Sequence, residues 1–240
     1  MPHTNNNLPL VSVLTPTYNR RRFIPALITC FKRQDYPMAH IEWIVLDDGT
    51  DKVGDLFADS GLSNVRYYKS DLRLTIGAKR NKLNDLAQGA ILVCIDDDDY
   101  YPPQRLSHAV WSLMNNPDYL VCGSSELYLY YSDDKTIYKL GPYGSSHATN
   151  GTLAYRRSYT KNHRHDESVV KGEESSFLNG FTVPMLQLDA RFTQLLMSHG
   201  ENTFDKRVLR NAVSPMVQLT TLGLEDFIAD AGLRLFYEAA

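Results

Sequence analysis

The chain lacks most of the features that would carry a protein out of the cell or into a membrane. Its N-terminus, MPHTNNNLPL, has neither the basic nor the apolar segment of a signal peptide, and no apolar run approaches the length of a membrane span. These absences point to a cytoplasmic protein. Cysteine is scarce: Cys30, Cys94 and Cys122 stand far apart with no CxxC pair, so they suggest neither a zinc site nor a disulfide framework and read as reduced, buried thiols. A net charge of only −3 gives no reason to expect nucleic acid or an anionic membrane as partner. The sequon Asn150-Gly151-Thr152, without a secretion signal, reads as chance. Glycine is missing between Pro16 and Arg22, so no glycine-rich phosphate turn follows the first apolar run. No repeat or low-complexity linker divides the 240 residues, which are enough for one domain, 1–240, with a sizeable core.

What is present is strand alternating with helix. After a polar, frayed segment at 1–7, the run LPLVSVLT at 8–15 reads as a buried strand ending at Pro16. Residues 20–34 place Phe23, Leu27 and Phe31 at helical spacing, and IEWIVL at 41–46 is a second strand that runs into Asp47-Asp48-Gly49. A short helix at 51–58, a strand at 65–68, a helix at 76–88 and a strand at 90–95 follow. This order predicts a mostly parallel sheet covered on both faces, with ligands gathering beyond the strands' C-terminal ends. Tyr18-Asn19, Asp47-Asp48 and the aspartates at 96–99 all fall at such ends. After a helix at 102–116 the grammar changes. Strands at 119–122, 126–131 and 136–140 follow in hairpin order, then a loop at 141–151 whose His147 suits a lid, a short strand at 153–155 and a charged connection at 161–166. In that connection His163 and His165 read as surface residues or acceptor contacts. A helix at 168–179, strands at 183–188 and 193–197, and a helix at 225–238 packing outside as a tail complete the chain.

The stretch AILVCIDDDDYYPP at 90–103 is the most unusual. An apolar strand delivers four aspartates to one place, and adjacent negative charges repel unless a divalent cation or a field of hydrogen-bond donors compensates them. A solvated acidic turn capping the helix that Pro102 and Pro103 begin is the alternative.

The order of motifs is more specific than any one of them. A strand followed by Pro16-Thr17-Tyr18-Asn19-Arg20, a strand into Asp47-Asp48-Gly49-Thr50, then Gly77-Ala78-Lys79-Arg80-Asn81, then Asp96-Asp97-Asp98-Asp99, resembles the glycosyltransferase family 2 enzymes. The resemblance covers 8–205 and is strongest through 110. It implies an α/β GT-A fold: a mostly parallel central sheet flanked by helices, with a nucleotide-sugar-binding half at 8–115, a mixed-strand acceptor-binding half at 116–205 and a helical tail at 206–240. The activity implied is inverting transfer of a sugar from a nucleotide diphosphate, a UDP-sugar, to a hydroxyl of a glycan or other acceptor, with Mn2+ or Mg2+ bridging the diphosphate.

By the same resemblance, Asp96 and Asp98 are the ends of a DxD motif, Asp98 on the metal and Asp96 nearer the ribose or metal. Asp97, kept among the donor contacts, and Asp99 stay ambiguous, because four aspartates admit two registers. Thr15, Pro16, Tyr18 and Arg20 of the first loop and Asp47 or Asp48 of the second are implied to hold base and ribose, with Tyr18 stacked on uracil. Arg80 is implied to point at the base or diphosphate. Gly172-Glu173-Glu174-Ser175-Ser176-Phe177 resembles the acidic pair whose second member is the general base, which selects Glu174. Glu173 is the second candidate, since an aspartate is commoner at the base position. His199 is a metal ligand or a phosphate donor. Taken alone, each residue has an ordinary reading: a strand-end aromatic, a turn, a solvated arginine, an exposed glutamate pair, a loop histidine. Two other functions compete. A nucleotide-sugar or glycan-binding module without turnover is opposed by the intact acids, and a sugar nucleotidyltransferase by the missing glycine-rich turn.

Overall fold

The computed structural model describes residues 8–202, 206–211 and 214–240; the segment at 1–7 and Thr203 lie outside them. Strands β1 (Val11–Thr17) and β2 (Ile41–Asp47) are buried along their whole length, so neither shows the alternation of a half-exposed strand. β1 pairs in parallel with β2 and with β4 (Ile91–Cys94), and β2 with β3 (Val65–Lys69). Beyond β4 lie β8 (Ala154–Arg156), β5 (Val121–Gly123) and β9 (Leu186–Gln187), giving the order β3-β2-β1-β4-β8-β5-β9. Only β8 runs antiparallel to its neighbours.

Each face of this sheet has its own core. Val11, Val13, Trp43 and Val45 pack with α1 (Ile24–Lys32) and α4 (Arg105–Asn115), while Leu14, Ile44, Leu46 and Leu92 pack with Leu83 of α3 (Ile76–Leu86). Phe31 stacks on Trp43 at 4.1 Å, and the indole Nε1–H donates to Thr15 Oγ1 at 3.0 Å, so the one polar atom of the largest core side chain is satisfied. Burying such a side chain contributes about 1.5–3 kcal/mol. α2 (Gly54–Ala58) is one turn between β2 and β3.

The second sheet has the order β10-β6-β7-β11, built from β10 (Leu195–Ser198), β6 (Leu127–Tyr131), β7 (Thr136–Leu140) and β11 (Val217–Leu219). The hairpin β6–β7 is the one expected, but the strand expected before it pairs with β8 in the first sheet instead. The helix expected at 168–179 is a single turn, α5 (Glu174–Phe177), because Gly172 and Asn179 bracket it with positive φ of 68° and 50°. α6 (Arg207–Arg210) lies in the connection to β11.

The C-terminal helix α7 (Ala231–Glu238) is not an external tail. Its Leu233 and Tyr237 are buried with Ala26 and Cys30 of α1 and with Tyr130, Leu195 and Met197 of the second sheet, so it wedges between α1 and that sheet. All three cysteines are free and buried. Among the described residues no helix is long and apolar enough to cross a membrane.

Candidate active site

The chain turns directly after β4, and the four aspartates that follow point in different directions. Asp96 accepts from Arg80 Nη2 at 3.0 Å, and its backbone N–H donates to the Tyr101 hydroxyl at 2.7 Å. Asp97 faces Arg20 Nε at 3.7 Å. Asp98 lies 3.3 Å from His199 Nε2, 3.4 Å from Asn202 Nδ2 and 3.5 Å from Arg20 Nη2. Asp99 turns inward, where Gln194 Nε2 (2.5 Å), the Met197 N–H (2.7 Å) and Lys206 Nζ (3.3 Å) hold it. Burial and the neighbouring Asp98 charge push the Asp97 carboxyl up; burial likewise raises Asp99, in spite of Lys206. Burial works against an ionised Asp98 too, but the His199 hydrogen bond and the charges of Lys206 and Arg20 prevail and hold it well below the usual carboxylate range. The run thus concentrates firm negative charge on Asp98.

Asp98 and His199 fit a hard divalent cation. A carboxylate oxygen and an imidazole nitrogen 3.3 Å apart are close enough for one small ion to reach both. The ring is held on both sides: the Glu201 N–H donates to His199 Nδ1 at 3.2 Å, and Asn202 Nδ2 lies 2.8 Å from Nε2. Among the described residues no three His, Cys, Asp or Glu side chains converge into a closed metal cage.

The glutamate pair enters from α5 and meets the aspartates through α3. Arg80, buried on α3, donates from Nε to Glu173 Oε1 at 2.7 Å while its Nη2 holds Asp96. The two carboxylates outweigh burial and keep this guanidinium charged. Glu173 Oε1 also accepts from Asn150 Nδ2 at 2.9 Å, and the same Nδ2 reaches Glu174 Oε2 at 3.2 Å. Burial, then the Glu173 charge, pushes the Glu174 carboxyl up. Glu173 is committed to an ion pair, and Glu174, outside it, holds a proton more tightly than an ordinary glutamate.

Several implied donor contacts lie elsewhere. Thr15 is fully buried under Trp43, and Pro16 is buried within β1 opposite Leu46, so neither reaches the strand-end opening. Asp47 spends its carboxylate on the Gly49 and Val53 N–H groups (2.8 and 2.9 Å) and the Tyr67 hydroxyl (2.5 Å), shaping the β2 turn. Asp48 pairs with the buried Lys79 and accepts from the Leu74 N–H at 2.7 Å. Tyr18 is half-buried at the opening with the exposed Arg73 guanidinium 4.4 Å above its ring, an arginine to which the sequence drew no attention. Arg80 bridges acids rather than pointing at an open phosphate site. His147 packs on Phe181 at 4.5 Å, and His165 is buried, not a surface residue. Asn150 and His165 are the participants the sequence hid, since their partners lie 15 to 24 residues away along the chain. Asn150 belonged to the sequon read as chance, and its burial agrees with that reading.

The sequence model described as glycosyl transferase family 2 matches residues 12–170. A putative colanic acid biosynthesis glycosyl transferase of Escherichia coli (strain K12) is 34% identical over 104 residues, which is 42% of this chain and 37% of the relative. A poly(ribitol-phosphate) beta-N-acetylglucosaminyltransferase of Staphylococcus aureus is 30% identical over 108 residues, 41% of this chain and 18% of the relative. The matches therefore span well under half of these relatives' lengths. Among solved structures, a mannosyltransferase from Pyrobaculum calidifontis in complex with GDP-Man and Mn2+ superposes with a TM-score of 0.64 at 15% identity, covering 82% of this chain and 59% of that one. The Staphylococcus aureus enzyme in complex with UDP-GlcNAc gives 0.61 at 18% identity, covering 80% and 59%. At these identities the likeness is one of fold, the GT-A arrangement of a central sheet flanked by helices.

Proposed function

The chain belongs to glycosyl transferase family 2, and on that premise we propose that it transfers a sugar from a nucleotide diphosphate, a UDP-sugar, to a hydroxyl acceptor with inversion at the anomeric carbon. The observation that carries this reading is the double engagement of Arg80, which binds Asp96 at 3.0 Å and Glu173 at 2.7 Å. One guanidinium thereby ties the donor-side acids to the acceptor-side acids. Nucleotide-sugar complexes of two structural neighbours support the donor class, and the Mn2+ in one of them supports a divalent cation.

Residues 8–115 would receive the nucleotide and 116–205 the acceptor, within one catalytic unit. Asp98, with His199 opposite, would hold Mn2+ or Mg2+, whose Lewis acidity, when the ion is bound, offsets the charge developing on the departing diphosphate. Arg20, beside Asp97 and Asp98, adds positive charge on the same side. Glu174 accepts the proton of the acceptor hydroxyl as its oxygen bonds to the anomeric carbon and the carbon–oxygen bond to the diphosphate breaks. Its raised proton affinity suits that task, whereas Glu173 is occupied by Arg80 and Asn150.

A melting-temperature screen of nucleotide sugars with and without Mn2+ identifies the donor, because a ligand that binds only the folded state stabilises it by mass action. Turnover of that donor should require the cation and fall about a thousandfold in Asp98→Ala. Unchanged turnover in that variant would sink the proposal.

A further inference from the structure

We propose that Asn150 is a positioning residue for Glu174, and that His165 fixes which way round the Asn150 amide sits. The inference rests on the reading of Glu174 as the base.

Asn150 opens a short 3-10 turn, Asn150–Thr152, ahead of β8 and is only 5% exposed. Its Nδ2 has two protons, and two carboxylates face it, Glu173 Oε1 at 2.9 Å and Glu174 Oε2 at 3.2 Å. An amide turned the other way would set an oxygen against two acceptors with no proton between them. The acids therefore dictate that Oδ1 points away from them, and it does so toward His165 Nε2 at 3.2 Å. An amide oxygen only accepts, so Nε2 must carry the imidazole proton.

Nothing in the surroundings of His165 lets it choose otherwise. The ring lies flat on Phe177, 4.2 Å away with 4° between planes, and is 3% exposed. Its backbone is clamped by Asn81, which accepts the His165 N–H at 2.9 Å and donates to the His165 carbonyl at 2.9 Å. The buried Nδ1 has no partner, as a lone pair left over from an Nε2–H tautomer would. Burial, with Arg80 and Arg164 nearby, lowers the ring's pKa to about 3, so it stays neutral and takes no part in proton transfer. Phenylalanine would fill the same space against Phe177; what histidine adds is one N–H aimed at Asn150. The other charged groups around the amide are Glu173, Arg80 and Asp96, already paired among themselves.

The first test needs no turnover. In ¹⁵N NMR of the wild-type protein, the His165 signals, identified by their loss in His165→Phe, should report the Nε2–H tautomer and stay neutral down to about pH 5. An Nδ1–H tautomer, or protonation in the ordinary histidine range, would mean the amide is not held as described and would overturn the inference. The second test is kinetic. Asn150→Ala should lower kcat about a hundredfold and His165→Phe about tenfold, with the KM for the nucleotide sugar unchanged, since a displaced base affects the chemical step alone. An unchanged kcat in His165→Phe would assign the histidine to packing, and a loss expressed in donor KM would place Asn150 in donor binding; either result overturns it. A wild-type protein that turns over no donor would count against the transferase reading, and the tautomer would still decide this one.

Discussion

Two groups of adjacent acids meet across Arg80, and they are held in opposite ways. The aspartates at 96–99 diverge: Asp96 toward Arg80, Asp97 toward Arg20, Asp98 toward His199 and the same Arg20, and Asp99 toward Gln194 and Lys206. The glutamates converge, sharing one amide donor from Asn150, with Arg80 added to Glu173 alone. Divergence concentrates ionisation on Asp98, because its two buried neighbours are pushed up while it is held down. Burial, and then the adjacent Glu173 charge, raises Glu174 instead, giving an acid that binds and releases a proton nearer neutrality. The same chemical group is held ionised in one setting and pushed toward protonation in the other: positive neighbours outweigh burial at Asp98 and do not at Glu174.

That contrast can be broken most directly at the base. Glu174→Gln should lower kcat by about 10²–10⁴-fold with nucleotide-sugar affinity by calorimetry unchanged, and Glu173→Gln should cost much less kcat. An inactive Glu173→Gln beside an active Glu174→Gln would reverse the two roles. Next in size is the link between the groups. Arg80→Met leaves Asp96 and Glu173 without their buried partner, and denaturant unfolding should show a loss of about 3–5 kcal/mol.

The pH dependence sharpens the same comparison. Glu174 binds its proton more tightly folded than unfolded, so its contribution to stability is complete below the ordinary glutamate range and is lost as pH rises through its raised value. Glu174→Gln should therefore lose less melting temperature than wild type between mildly acidic and neutral pH. The acid limb of kcat in the wild type should lie above the ordinary glutamate range for the same reason. The smallest effect is expected on the aspartate side. Tyr237→Phe removes the hydroxyl that donates to the Asp99 carbonyl at 3.0 Å, and should cost about 1 kcal/mol by chemical denaturation.

Much of this was legible in the sequence as far as α4. Buried parallel strands are written as uninterrupted apolar runs, and the acids at their ends stand next to them in the chain. Hydrogen bonds across the fold are not written that way. The two oxygens of Asp47 read like donor contacts until Gly49, Val53 and Tyr67 are seen to use them. Arg80 read like a phosphate ligand because its partner Glu173 lies 93 residues on. The chain beyond α4 was harder still: its strands are two to five residues long, and the helix bearing Glu174 is one turn, bounded by left-handed Gly172 and Asn179. The apolar stripe of α7 gave its existence but not its address, since a stripe says that a face is covered and not by what.

That address bears on where the molecule can be divided. The family match ends at residue 170, and a fragment cut there would still carry all four aspartates. It would lack Gln194, the Met197 amide, Lys206 and the Tyr237 hydroxyl, which are what hold Asp99 and the turn around it. The transplantable unit is therefore larger than the recognisable one: a chimera that exchanges segments beyond residue 170 must keep β10 and α7 with the first sheet, or it will inherit the acids without their scaffold.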